Sequence, residues 1–143
     1  MTTTRLDPAR HHWRHPVHLF LVISMVPLFL GALLSDIAYA RTYEIQWTNF
    51  AAWLNAGALV FCGLSLAWAL VDLVRTGRRT RGSWLYVGLL LGTFVLGFIG
   101  ALIHAEDAWA SMPGALIVSI IVAVLAVVAV WMSFDGSREG ASL

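Results

Sequence analysis

Charge is scarce in this chain: of its 143 residues only 12% are charged, against 59% hydrophobic ones. Soluble domains typically carry roughly a quarter charged residues, so an aqueous globule is excluded and the chain belongs in a bilayer. Lysine is missing altogether. All nine basic residues are arginine, and no aromatic-interleaved basic face accompanies them, which sets nucleic acid aside as a partner. The single cysteine, Cys62, excludes an intramolecular disulfide, and its place inside an apolar run reads as a buried, inert thiol. There is no G-x-S-x-G, no H-E-x-x-H and no nucleophile paired with a base at credible depth, so hydrolysis lacks its parts. Histidines and cysteine form no dense cluster at zinc or copper spacing. No internal repeat is visible, which leaves an inverted-repeat transporter without support.

What is abundant is apolar sequence in four runs, Val17 to Ser35, Phe50 to Val71, Ser83 to His104 and Ser111 to Phe134. Each is near the ~20 residues that cross a bilayer, and a lipid-exposed backbone must bond to itself, so the expected fold is an all-α, four-helix transmembrane bundle. The expected divisions are a basic tail over residues 1–14, the bundle over 15–134 and a short polar tail over 135–143. Pro16 suits the first turn of a helix, and Pro27 with Gly31 suggests a kink. Ala38-Tyr39-Ala40 resembles a signal-peptide cleavage site, but the preceding run exceeds the ~7–15 residues of such a region, so the first helix is expected to stay. Asp36, Tyr39, Arg41, Tyr43, Glu44, Gln46 and Trp47 then make the first loop. Residues Ala105 to Met112 make the third, with Ser111 as the capping hydroxyl of the last helix.

Arginine sets the topology. Eight of the nine lie on the N-terminal tail, the loop around Arg75, Arg78, Arg79 and Arg81, or the C-terminal tail, against Arg41 alone on the other side. Basic residues favour the cytoplasmic side, so both termini are expected there, with Trp84 and Tyr86 anchoring the third helix at the inner interface.

Small and polar residues recur at steps of three and four on three of the helices. On the second, Ala51, Asn55, Ala58, Cys62, Ser65, Ala69 and Asp72 form a heptad seam; on the fourth, Ser111, Ala115, Ser119, Val122, Ala126, Ala129 and Ser133 do the same. On the third, Thr93, Gly97, Gly100 and His104 share one face. Such seams admit close helix contact and should point inward, with Asn55, Ser65, Thr93 and Ser119 as polar packing residues.

The chemically suggestive residues gather at one side: Asp36, Tyr39, His104, Glu106, Asp107 and Trp109 form the candidate outer-face site. His104 should approach Asp36 or Tyr39 within a shallow pocket, and His104 with Asp107 could handle a proton. The plainer expectation is a boundary histidine that closes the hairpin on Asp36 or on loop backbone.

HPVHLFLVISMVPLFLGALLSD together with HAEDAWASMPGALIVS resembles the bacterial membrane family known as domain of unknown function 2231, over about Arg14 to Phe134. The positions that carry the resemblance are His15, Pro16, Asp36, His104, Asp107, Trp109 and Pro113. It implies four helices and a bacterial origin, hence a multi-pass protein of the bacterial inner membrane, and it supplies no activity.

Two functional classes remain. The first is a non-enzymatic membrane subunit or scaffold with no cofactor, partnered by the bilayer and by a membrane or periplasmic protein or a second copy. The second is a haem b electron-transfer subunit with His104 as axial ligand. His18 and His104 lie near opposite surfaces, about 30 Å apart along ~20 helical residues, so one haem cannot use both. A haem at the outer side would need Met112, or His104 of a second copy. A reporter fused after Leu143 is expected to be active only in the cytoplasm; activity only outside overturns the topology.

Overall fold

The computed structural model describes residues 15–77 and 80–135. The N-terminal tail with His11 and His12, the loop residues Arg78 and Arg79, and the tail beyond Asp135 lie outside the described residues. Five helices follow in order: α1 (Pro16–Thr42), α2 (Ile45–Thr76), α3 (Arg81–His104), the single turn α4 (Ala108–Ser111) and α5 (Gly114–Asp135). No strand occurs among the described residues. Four of the helices are long and apolar enough to cross a membrane: Pro16–Thr42, Ile45–Arg75, Arg81–His104 and Gly114–Phe134.

The four spans stand as a square. Backbone contacts run round its sides, α1 on α2, α2 on α3, α3 on α5 and α5 on α1, which leaves α1 facing α3 across the diagonal. An even number of spans brings the start of α1 and the end of α5 to one end of the bundle. We call this the terminal end, and the opposite one the far end.

Small side chains explain the close sides of the square. All seven residues of the α2 seam, from Ala51 to Asp72, are buried, and so are Ala115, Val122, Ala126 and Ala129 of α5. Around them pack Val22, Met25 and Phe29 of α1 and Leu90 of α3, forming an apolar middle. A Cβ on Gly97 would stand 3.0 Å from Leu59 Cδ2 and 3.4 Å from the Phe29 ring, so that side of α3 is tight and a larger side chain there must displace its neighbours. Asn55 Nδ2 donates to the Gly97 carbonyl at 3.0 Å, an interhelical bond from α2 to α3. The opposite surfaces are apolar and bare, with Trp53 79% and Trp131 68% exposed, as a lipid-facing surface requires.

Two hydroxyls that the spacing placed on the seams, and a third on α1, are satisfied within their own helix. Ser65 donates to the Phe61 carbonyl, Thr93 to Leu89 and Ser35 to Gly31, each four residues back. They therefore pack as small residues and bind nothing across the bundle.

The structure corrects three sequence expectations. Asp36, Tyr39 and Arg41 belong to α1 and not to a loop; the helix runs through Pro27 and ends at Tyr43, whose left-handed conformation (φ 57°) sends its N–H to the Tyr39 carbonyl at 2.8 Å. The connection to α2 is then only Tyr43 and Glu44. A hydropathy reading stops at the first charge, but an inward carboxylate met by protein donors needs no water and does not end a helix. Ser111 does not cap α5: it closes α4, its Oγ donating to the Ala108 carbonyl, and α5 begins at Gly114. Tyr86 is buried, while Trp84 beside it is exposed, so only Trp84 stands at the surface of α3.

Filling the crowded side of α3 should separate helices that the open sides tolerate. Gly97→Leu is expected to destabilise the bundle by about 1–3 kcal/mol in detergent unfolding. Gly88, where a Cβ would meet nothing within 4 Å, should accept alanine with little change. Equal tolerance at the two positions would overturn the packing.

Candidate functional site at the far end of the bundle

His104 is the last residue of α3, and Asp36 lies six residues before the end of α1. Their helices are diagonal partners, so only long side chains can join them. His104 Nε2 and Asp36 Oδ1 are 2.9 Å apart, and the two side chains are 1% and 0% exposed. The other ring nitrogen, Nδ1, donates to the Gly100 carbonyl at 2.7 Å. The second carboxylate oxygen, Oδ2, accepts from Ser119 Oγ of α5. Three helices thus meet at one carboxylate.

Hydrogen counting fixes the charge of this unit. A carbonyl only accepts, so Nδ1 carries a proton; the Nε2–Oδ1 contact then holds one more, on either atom. Whether written as imidazolium with carboxylate or as imidazole with carboxylic acid, the pair is neutral as a whole. Neutrality with both oxygens and both nitrogens engaged is what permits a titratable pair to sit away from water, where an unpaired charge is expensive.

The remaining members of the sequence-predicted site are elsewhere. Tyr39 is buried one turn beyond Asp36, its ring 6.2 Å from that of Tyr43. Glu106 and Asp107 are exposed in the connection after α3, and Asp107 starts α4 without a side-chain cap. His104 is therefore bonded to Asp36 rather than to Asp107. Trp109 is 81% exposed and leans on Tyr43 with ring centroids 6.0 Å apart, which ties α4 to the α1–α2 turn. The His104–Asp36 pair is closed, its two side chains being 1% and 0% exposed. No group of three or more His, Cys, Asp or Glu that could hold a metal occurs among the described residues.

A second polar junction, absent from the sequence expectations, occupies the terminal end. His18 Nε2 of α1 lies 2.9 Å from Tyr86 Oη of α3, and that hydroxyl lies 2.9 Å from Ser133 Oγ of α5. It joins the same three helices as the far-end junction. Asp36 follows His18 by 18 residues, and His104 follows Tyr86 by the same number. Eighteen residues are five helical turns and about 27 Å, so each helix presents both junctions on one face. That equal spacing was the available signal, hidden because Tyr86 looks like an interfacial aromatic and Ser133 like one more small residue.

Four spans, lipid-facing apolar surfaces and polar groups consumed internally define a polytopic α-helical membrane protein. Within that class the chain belongs to the family described as "Predicted membrane protein (DUF2231)", whose model matches residues 14–135. Comparison with the curated proteins found no match, and comparison with the solved structures found none.

Removing one member of the far-end pair strands its partner. Asp36→Ala is expected to lower stability by about 3–5 kcal/mol in detergent unfolding, whereas Asp107→Ala should stay within about 0.5 kcal/mol of the parent. A larger effect at Asp107 would overturn the pairing.

Proposed function

We propose that the chain is a non-enzymatic membrane subunit, a scaffold that holds its far-end rim in fixed geometry for a partner. One observation carries the proposal: in the Asp36–His104–Ser119 junction both ring nitrogens and both carboxylate oxygens already have protein partners, and the His104 and Asp36 side chains are 1% and 0% exposed. A site built for catalysis needs reactive groups within reach of a pocket, and this junction instead fastens three helices. Above it stands the rim of Tyr43, Glu44, Glu106, Asp107 and Trp109, all exposed, where acidic groups beside aromatic ones suit a partner with a basic face.

In this reading the protein lies in a bacterial inner membrane with both termini cytoplasmic. The exposed Arg75 and Arg81 bracket the α2–α3 connection at the terminal end, while Arg41 is the far-end arginine. The far-end rim then faces the periplasm.

Haem has less support. An axial histidine needs one ring nitrogen for iron, and His104 spends both on Asp36 and Gly100. His18 stands five turns away at the other end. Protein purified in detergent after expression with ample haem is therefore expected to show no Soret band; a Soret band abolished by His104→Ala would replace the scaffold with an electron-transfer subunit.

A further inference from the structure

The junction at the terminal end contains a nitrogen that nothing satisfies. His18 is 1% exposed, and its Nδ1 has no hydrogen-bond partner among the described residues. The bonds around it determine what that atom is. Ser133 Oγ lies 2.9 Å from the Ala129 carbonyl, which can only accept, so the serine hydrogen points there. Ser133 Oγ must then accept from Tyr86, and the Tyr86 oxygen must accept from His18 Nε2. The arrangement that satisfies all three contacts runs one way: His18 Nε2–H to Tyr86, Tyr86 O–H to Ser133, Ser133 O–H to the Ala129 carbonyl. His18 is thereby held as the Nε2–H tautomer, and Nδ1 is a bare lone pair on a basic nitrogen.

Burial makes a positive charge on that nitrogen costly, and Asp72 offsets part of that cost. Asp72, the last residue of the α2 seam and itself buried, acts on His18 through its charge, and it engages other groups as well. Trp68, one turn earlier on α2, stacks against the His18 ring with centroids 6.4 Å apart and also meets the ring of His15 at 4.9 Å. Among the described side chains, the titratable groups around His18 are His15 just before its own helix, Asp72 of α2 and Tyr86 of α3, while α5 contributes Ser133, which does not titrate. Cys62 of α2 acts on Tyr86, and Arg75 and Arg81 stand exposed at the same end.

We propose that His18 Nδ1 is a proton-binding site at the terminal end of the bundle, with Asp72 as its counter-ion. The proton adds to the Nδ1 lone pair and no other bond breaks, so the chain from Nε2 through Tyr86 to Ser133 is kept. Uptake converts a neutral α1–α3–α5 junction into one that also attracts α2, drawing the fourth helix of the square into the same polar cluster. The far-end junction differs, because both of its ring nitrogens and both of its carboxylate oxygens already have partners.

The test is nitrogen NMR of the full chain, labelled with ¹⁵N-histidine and reconstituted in lipid nanodiscs, with His18 assigned by the signals lost in His18→Gln. At alkaline pH the His18 resonances should show a protonated Nε2 and a bare Nδ1. On acidification between about pH 8 and pH 5, Nδ1 should gain a proton while Nε2 keeps its own. In Asp72→Asn, half-protonation should need about tenfold more acid. The Nδ1–H tautomer at alkaline pH, no proton uptake over that range, or an unchanged curve in Asp72→Asn would each overturn the proposal. The tautomer and the uptake are read in the unaltered protein, so they decide the matter even where Asp72→Asn does not fold.

Discussion

A carboxyl group with no water around it must find every hydrogen-bond partner within the protein, and Asp36 is that group here. Fully buried near the far end of α1, it takes a bond from His104 of α3 and another from Ser119 of α5. Both partners come from other helices, so the bonds cannot form before the bundle does. Apolar burial contributes little to choosing among helix arrangements in lipid, where hydrocarbon lies on every side. Small residues permit close approach at many rotations and registers; a buried acid with fixed partners admits few. The square arrangement follows from that restriction together with the Gly97 and Asn55 contact on its α2–α3 side.

The two ends of the bundle use one plan with different chemistry. At each, a histidine bridges α1 and α3 while a serine of α5 completes the cluster. The far end places the histidine on α3 and an acid on α1, giving a closed neutral unit. The terminal end reverses the donor helix and replaces the acid with a phenol, which can accept the imidazole proton but cannot neutralise a second one. Between them lies the apolar layer of Val22, Met25, Phe29, Leu90 and Val122, which separates the clusters. The polar side chains at the level of that layer, Asn55, Ser65 and Thr93, are bonded to backbone carbonyls, an arrangement that describes a strut more readily than a conduit.

The spans and seams were legible in the sequence for a physical reason. Apolar length and three-four spacing are local properties, so the seam from Ala51 to Asp72 could be followed residue by residue and lies buried throughout. Asp36 and its approach to His104 were partly legible. Two ionisable residues at one side of the membrane suggest the pairing, but α1 continues six residues past Asp36 to Thr42, which apolar length alone does not indicate. The terminal junction was not legible: a tyrosine at a span boundary looks like an interfacial anchor, and nothing in one sequence says that a serine 47 residues later meets its hydroxyl. Long-range hydroxyl contacts carry no periodic signature.

Equal spacing on α1 and α3 makes the two helices behave as a ladder with two rungs. Inserting a single residue between the rungs of either helix would rotate everything beyond it by about 100° and lift it by 1.5 Å, so one rung would come apart. Length changes in these spans are therefore coupled: a descendant adapted to a thicker bilayer would have to lengthen both helices together, in whole turns, or abandon a rung. The lipid-facing side chains are free of that restriction. Drift in this lineage should consequently appear as free exchange of apolar residues on the outside and as locked indels on the inside.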